Sequence, residues 1–196
     1  SPCTYLPQMP SFARAVTLRQ LAQNVSGLRD YWCLAMLTGA QAETRFRRED
    51  AQRIIFGQRD FHFEPGTQYS YNNGNFAILG WIIESVTGKP YTQVLRERIL
   101  EPLGMHSSFI STDTSSPLPE DSTGYEPSPD GGLMPAPVDI HWDGDAGIVS
   151  TLGDLLRWER DFAEDPLAPR GSVEALFEAP VFPGGARSGH ARGLHL

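Results

Sequence analysis

The chain has 196 residues, 40 % of them hydrophobic and 20 % charged, which suits one globular domain. Its formal net charge of −8 argues against a nucleic-acid or acidic-membrane partner, since either calls for clustered basic surface. No apolar run approaches the ~20 residues of a membrane span, and Cys3 and Cys33 are too few for a disulfide framework, so both are expected to be unpaired thiols.

Residues 1–16, with Pro2, Pro7 and Pro10, read as extended. Thr17 followed by Gln20 is a capping-box pattern. It opens a short helix with Leu18, Leu21, Ala22 and Val25 on one side, and Gly27 ends it. Tyr31 to Leu37 is apolar and reads as helix. Arg48 to Gln58 follows as another, with Ala51, Ile54 and Ile55 at helical spacing. An extended approach over Phe61–Gln68 contains the turn signal Pro65-Gly66. Asn73 or a neighbour then caps the main helix. Phe76, Leu79, Ile83 and Val86 form its stripe, widened by Ile78 and Ile82, and Gly88 stops it. Pro90 starts a further helix with Tyr91, Val94, Leu95 and Ile99 on one face.

From Ser111 to Pro137 the chain is rich in Ser, Pro, Asp and Gly and reads as a long surface loop, with an interdomain linker as the alternative. Thr151, with Asp154 three residues on, caps a helix whose apolar face is Leu152, Leu155, Leu156 and Phe162. Ser172 caps a last short helix, Val173 to Glu178, and Pro180 to Gly189 is loop. No internal repeat is present.

Few residues outside the main helix suggest chemistry. His141-Trp142-Asp143-Gly144-Asp145 is the one metal-like cluster in the sequence, and Asp143, Asp145 and the later Asp154 superficially resemble a calcium loop. The central glycine is displaced to Gly147 and the terminal Glu is missing, so no metal is expected. His62, His106, His190 and His195 have no partner pattern and read as surface or packing residues. Ser26 is not in Gly-x-Ser-x-Gly, and there is no phosphate-binding glycine loop, so neither a nucleophile elbow nor a cofactor is expected.

One stretch is far more specific. Phe63-Glu64-Pro65-Gly66 leads to Tyr71-Asn72-Asn73, then to the apolar helix ending at Gly88, then to Pro102-Leu103-Gly104-Met105. This order closely resembles the Tyr-x-Asn region of the serine β-lactamase-like hydrolases: class C β-lactamases, D,D-peptidases and related esterases. Thr4-Tyr5-Leu6-Pro7 and Ser26-Gly27-Leu28 resemble earlier landmarks of that family, with Asn24-Val25 where His-Thr is usual. The resemblance implies an α/β parent fold of the β-lactamase/transpeptidase type, of which this chain is the mostly helical middle with few strands. It implies Tyr71 as general base or acid partner, and Asn73 as the amide that holds a substrate carbonyl or a catalytic lysine. A tyrosine, with an ordinary pKa of about 10, serves as a base only beside cations that favour the phenolate. Read from the residues alone, Tyr71 is an aromatic near a turn and Asn73 a helix cap. Asn72, at the variable position, reads as structural.

The family's nucleophile lies in Ser-x-x-Lys. The single lysine here is Lys89, preceded at the required distance by Val86, so the motif does not occur in this sequence. Neither does Lys-Thr-Gly or His-x-Gly. Residues 1–196 are therefore expected to be the central portion of one such domain, lacking the parts that carry both motifs, and inactive alone. Apolar faces meant for those parts would then stand exposed. The partners implied are a small-molecule or peptide acyl substrate and another chain segment completing the sheet. Alternatives are a non-catalytic module binding peptide or cell-wall material, and a helical interaction piece. Location is not fixed by the sequence; exported relatives point to periplasm or secretion.

Overall fold

A computed structural model describes residues 1–41, 44–111, 124–136, 140–164 and 171–196, with side chains of 161–164 outside the description. The helices are α1 (Leu18–Ala22), α2 (Tyr31–Leu37), α3 (Arg48–Phe56), α4 (Asn73–Thr87), α5 (Tyr91–Leu95), α6 (Leu152–Glu164) and α7 (Ser172–Leu176). Four short strands, β1 (Phe109–Ile110), β2 (Tyr125–Pro127), β3 (Leu133–Pro135) and β4 (Ile148–Val149), make two antiparallel pairs, β1 with β4 and β2 with β3. The fold class is as read: a helical region with few strands. Among the described residues no helix is long and apolar enough to cross a membrane.

The Thr17–Gln20 capping box forms, with both reciprocal bonds present. Asp30 caps α2. Gly88, at φ 68°, supplies the left-handed stop of α4. Other expectations need correcting. Residues 1–16 are not simply extended: Pro2–Thr4 and Ser11–Ala15 form 3₁₀ turns, because Pro2 and Pro10 sit where a turn starts. Ser172 lies inside α7, whose cap is Gly171 with no side-chain bond. After Leu95 the helix widens into a π-helical turn over Arg96–Leu100. The serine- and proline-rich stretch holds the β2–β3 hairpin, and its 112–123 and 137–139 portions lie outside the described residues.

The core gathers Val16, Leu21, Leu28, Tyr31, Phe46, Ile55, Ala77, Ile78, Trp81 and Ile82 around α4. The buried face of α4 is Ala77, Ile78, Trp81 and Ile82, rotated from the expected stripe; Phe76, Leu79 and Ile83 are half-buried and Val86 is exposed. Small residues decide this rotation. A Cβ on Gly80 would lie 1.9 Å from the Asp143 carbonyl oxygen, so the 143–144 backbone rests directly on the helix. Leu152, Leu155 and Leu156 of α6, expected to pack, are at least half exposed: no described element covers them.

The loop laid on Gly80 is anchored by charge. The Arg48 guanidinium donates to Asp143 at 2.9 Å and to Glu84 at 2.9 Å, joining α3, α4 and the loop. Trp81 Nε1 adds a bond to Asp143 at 3.0 Å, and His141 Nε2 lies 3.1 Å from the same carboxylate. The Tyr31 O–H donates to Asp145 at 2.6 Å. The calcium-like aspartates are thus tied up within the protein, and no His/Cys/Asp/Glu cluster suited to a metal exists among the described residues. Burial raises the Asp143 pKa, but the bonds from His141, Arg48 and Trp81 outweigh it and bring it down to about 2. Burial instead pushes Asp145 up against the opposing bond from Tyr31.

A folded pKa below the unfolded one gives stability that is present above the unfolded value and lost as pH falls through the folded one. The step from 3.8 to about 2 at Asp143 corresponds to about 2 kcal/mol. Asp143→Asn should lower the stability of the chain at pH 7 by roughly 2–4 kcal/mol, since it also leaves part of Arg48 unpaired. The deficit should shrink between about pH 4 and pH 2. Urea unfolding of both proteins across that range checks the sign; a constant deficit would mean the ion pair is not its source.

Candidate active site

Tyr71 stands at an extended corner just before α4 and is 60 % exposed. Asn72 is 2 % exposed and is the cap: its Oδ1 accepts the Asn75 N–H at 3.1 Å and its Nδ2 donates to the Leu28 carbonyl at 2.7 Å. Asn73 is therefore the first residue of α4 and not its cap, and it is partly exposed. The pattern Tyr-x-Asn thus separates into an exposed residue, a partly exposed one, and Asn72 holding the corner from within.

The corner is gripped by the segment 24–30. Ser70 N–H donates to the Asn24 carbonyl at 3.0 Å. Asn75, 0 % exposed, accepts from Ser26 Oγ at 2.7 Å and donates to Asn24 Oδ1 at 2.8 Å. The Asn73 N–H donates to Asp30 Oδ2 at 2.6 Å. Asn24 adopts φ 55°, a left-handed conformation that asparagine tolerates better than most residues. The Asn24 Nδ2 is buried with no hydrogen-bond partner among the described residues. Behind this segment, residues 61–66 run alongside: His62 N–H donates to Gly27 O and Gly66 N–H to Val25 O, both at 2.8 Å. A Cβ on Gly27 would meet the Phe63 carbonyl at 2.0 Å, so the fit requires glycine.

Other rings gather near Tyr71. The Tyr69 ring lies 4.9 Å from His190, and His190 lies 4.7 Å from His195, where residues 190 and 195 form an antiparallel bridge. Burial, then the neighbouring Tyr71, raises the Tyr69 pKa; burial, then His195, lowers that of His190. Nothing in the spacing of residues 69, 190 and 195 announces this contact, and the histidines read as ordinary surface or packing residues. Asp30 likewise carries no signal in the sequence, where the helix beside it reads only as Tyr31 to Leu37. A cleft of about 740 Å³ lies between α1 and the C-terminal segment, lined by Arg19, Gln23, Gly66, Phe177, Glu178 and Leu196, and Tyr71 is not part of its wall. The Tyr71 corner is an open face.

Comparison with known proteins gives one family. The family described as β-lactamase matches residues 2–196. A D-aminopeptidase of Gluconobacter oxydans is 39 % identical over 174 residues, covering 89 % of this chain and 33 % of that protein. The chain spans about a third of the length of the curated relatives it matches. Among solved structures, a D-stereospecific amidohydrolase from a Streptomyces species superposes with TM-score 0.75 at 23 % identity, over 98 % of this chain and 61 % of that one. A D-amino acid amidase from Ochrobactrum anthropi, complexed with L-phenylalanine, gives TM-score 0.71 at 22 % identity, over 98 % of this chain and 56 % of that one.

The buried grip makes a stability prediction. Asn75→Ala removes both bonds of a fully enclosed amide and leaves Ser26 Oγ and Asn24 Oδ1 without that partner, a loss of roughly 2–4 kcal/mol. Thermal or urea unfolding measures it. A loss below about 0.5 kcal/mol, the range of ordinary surface changes, would mean the amide is not a structural tie.

Proposed function

The chain belongs to the β-lactamase family, a family of serine hydrolases, and from that premise we propose that it is the tyrosine-bearing central portion of an acyl hydrolase acting on D-amino-acid amides or peptides. The observation that carries this is the Tyr71–Asn73 corner: an exposed phenol and, two residues on, a partly exposed asparagine, on a turn that the buried Asn72 and Asn75 and the Asn73 N–H tie to residues 24–30. The D-aminopeptidase relatives and the D-amidase fold neighbours support the choice of substrate class over β-lactams.

In this reading the serine and lysine of Ser-x-x-Lys and the His-x-Gly or Lys-Thr-Gly segment come from other parts of the same protein and close over the Tyr71 corner. The serine hydroxyl attacks the acyl carbonyl. Tyr71, held as phenolate by the added cations, takes the hydroxyl proton and passes it to the departing amine. Asn73 donates from its amide to the substrate carbonyl side or holds the lysine by its oxygen. Backbone N–H groups receive the oxyanion, and water then releases the acyl group. The exposed leucines of α6 fit a surface that the remaining parts would cover.

Tyr71→Phe in the full-length protein should lower kcat/KM for a D-alanine anilide by about 10²–10⁴-fold, the usual contribution of a general acid–base. The 196-residue chain alone should show no turnover, since losing the nucleophile alone costs a serine hydrolase about 10⁶ in rate. Turnover by the isolated chain, or a Tyr71→Phe protein as fast as its parent, would overturn the proposal. A full-length protein that binds D-peptides yet never turns them over would favour the non-catalytic module, for which the absence of Ser-x-x-Lys from this sequence is the supporting observation.

A further inference from the structure

Asp30 is 9 % exposed, and its two oxygens serve two different helices. Oδ1 accepts the Cys33 N–H at 2.8 Å and caps α2. Oδ2 accepts the Asn73 N–H at 2.6 Å, at the first residue of α4. Helix capping needs only the first of these. The second reaches across to the residue that carries one candidate group and follows the other by two positions. On the far side of Tyr71, the Ser70 N–H is held by the Asn24 carbonyl at 3.0 Å. Tyr71 is therefore suspended between anchors at 70 and 73 that both lead into the segment 24–30.

We infer that Asp30 is a positioning residue for acyl transfer, fixing the Tyr71 phenol and the Asn73 amide against the reacting atoms without touching substrate. This rests on the reading of Tyr71 as proton shuttle. A bond to an ionised acceptor is roughly twice as strong as a neutral one, so the carboxylate holds the Asn73 peptide more firmly than an amide would. Neutral asparagine offers a single oxygen and would turn an N–H toward one of the two backbone donors. Proton transfer demands heavy atoms about 2.6–3.2 Å apart, and a displacement of about 1 Å costs on the order of 100-fold in rate.

Asp30→Ser separates the two duties. Serine is as good a helix cap as aspartate, so α2 remains capped. It has one short hydroxyl and cannot also reach Asn73. In the full-length protein, Asp30→Ser should lower kcat for a D-alanine anilide by about 10–100-fold, with KM within a few-fold of the parent and the melting temperature lowered by only a few degrees, as the Asn73 N–H loses its partner. Asp30→Asn should fall in the same direction and serves as the deciding variant if Asp30→Ser does not fold. A well-folded Asp30→Ser with parental kcat, alongside an inactive Tyr71→Phe, would overturn the role of Asp30 alone. A Tyr71→Phe protein with parental kcat would overturn the shuttle reading and this inference together. Failure of both Asp30 variants to fold would show the carboxylate to be structural and overturn it as well.

Discussion

Asn72, Asn75, Ser26 and Asp30 can satisfy their buried hydrogen-bonding groups only when residues 24–30 lie against residues 70–75. A buried polar group without a partner costs about 1–3 kcal/mol, so a chain of such groups tolerates few alternative arrangements. That constraint is what makes the Tyr71 corner definite. The corner lies outside regular secondary structure, and its residues could otherwise sample many backbone states. Apolar packing would hold it only loosely, because hydrophobic contact has no direction. Directional bonds fix both position and orientation.

A second set of polar contacts holds α4 further along its length. Arg48 bridges Asp143 and Glu84, while Tyr31, next in sequence to Asp30, reaches Asp145. The start of α2 thereby touches the site through residue 30 and the 141–145 loop through residue 31. Burial and the neighbouring carboxylate push the Tyr31 phenol far above its ordinary range, so this tyrosine stays protonated and acts as a donor. The two tyrosines, 31 and 71, thus have opposite circumstances: one enclosed beside acids, the other open to whatever covers the corner.

How much of this was legible in the sequence follows from how local each signal is. The cap at Thr17, the stop at Gly88 and the turn at Pro65-Gly66 depend on residues a few positions apart, and each forms as read. Tyr71 and Asn73 were visible only through family resemblance, since a tyrosine and an asparagine have no spacing rule of their own. The split of duties between Asn72 and Asn73 was half visible: the variable position read as structural, while the cap could not be assigned between the two. Contacts such as Asp30 with Asn73, or Tyr69 with His190, join residues far apart in the chain and leave no periodic trace. The buried face of α4 was misread for the same reason. Its rotation is set by a loop some sixty residues downstream, where Asp143 meets Gly80. Helical spacing shows how apolar residues align, but not which face a distant segment will choose.

The Gly80 notch has a consequence for modularity. A helix bearing Tyr-x-Asn at its head looks like a portable part, short and with its own cap and stop. Yet this helix has a backbone-wide gap at its middle that only the 143–144 segment fills. Moved to another scaffold without that segment, α4 would carry an open slot where a side chain should be, with Trp81 and Glu84 deprived of Asp143 and Arg48 beside it. The unit that could be transplanted, or that could drift in evolution as one piece, is thus larger than the helix. It comprises three stretches separated by dozens of residues, each shaped to the other two.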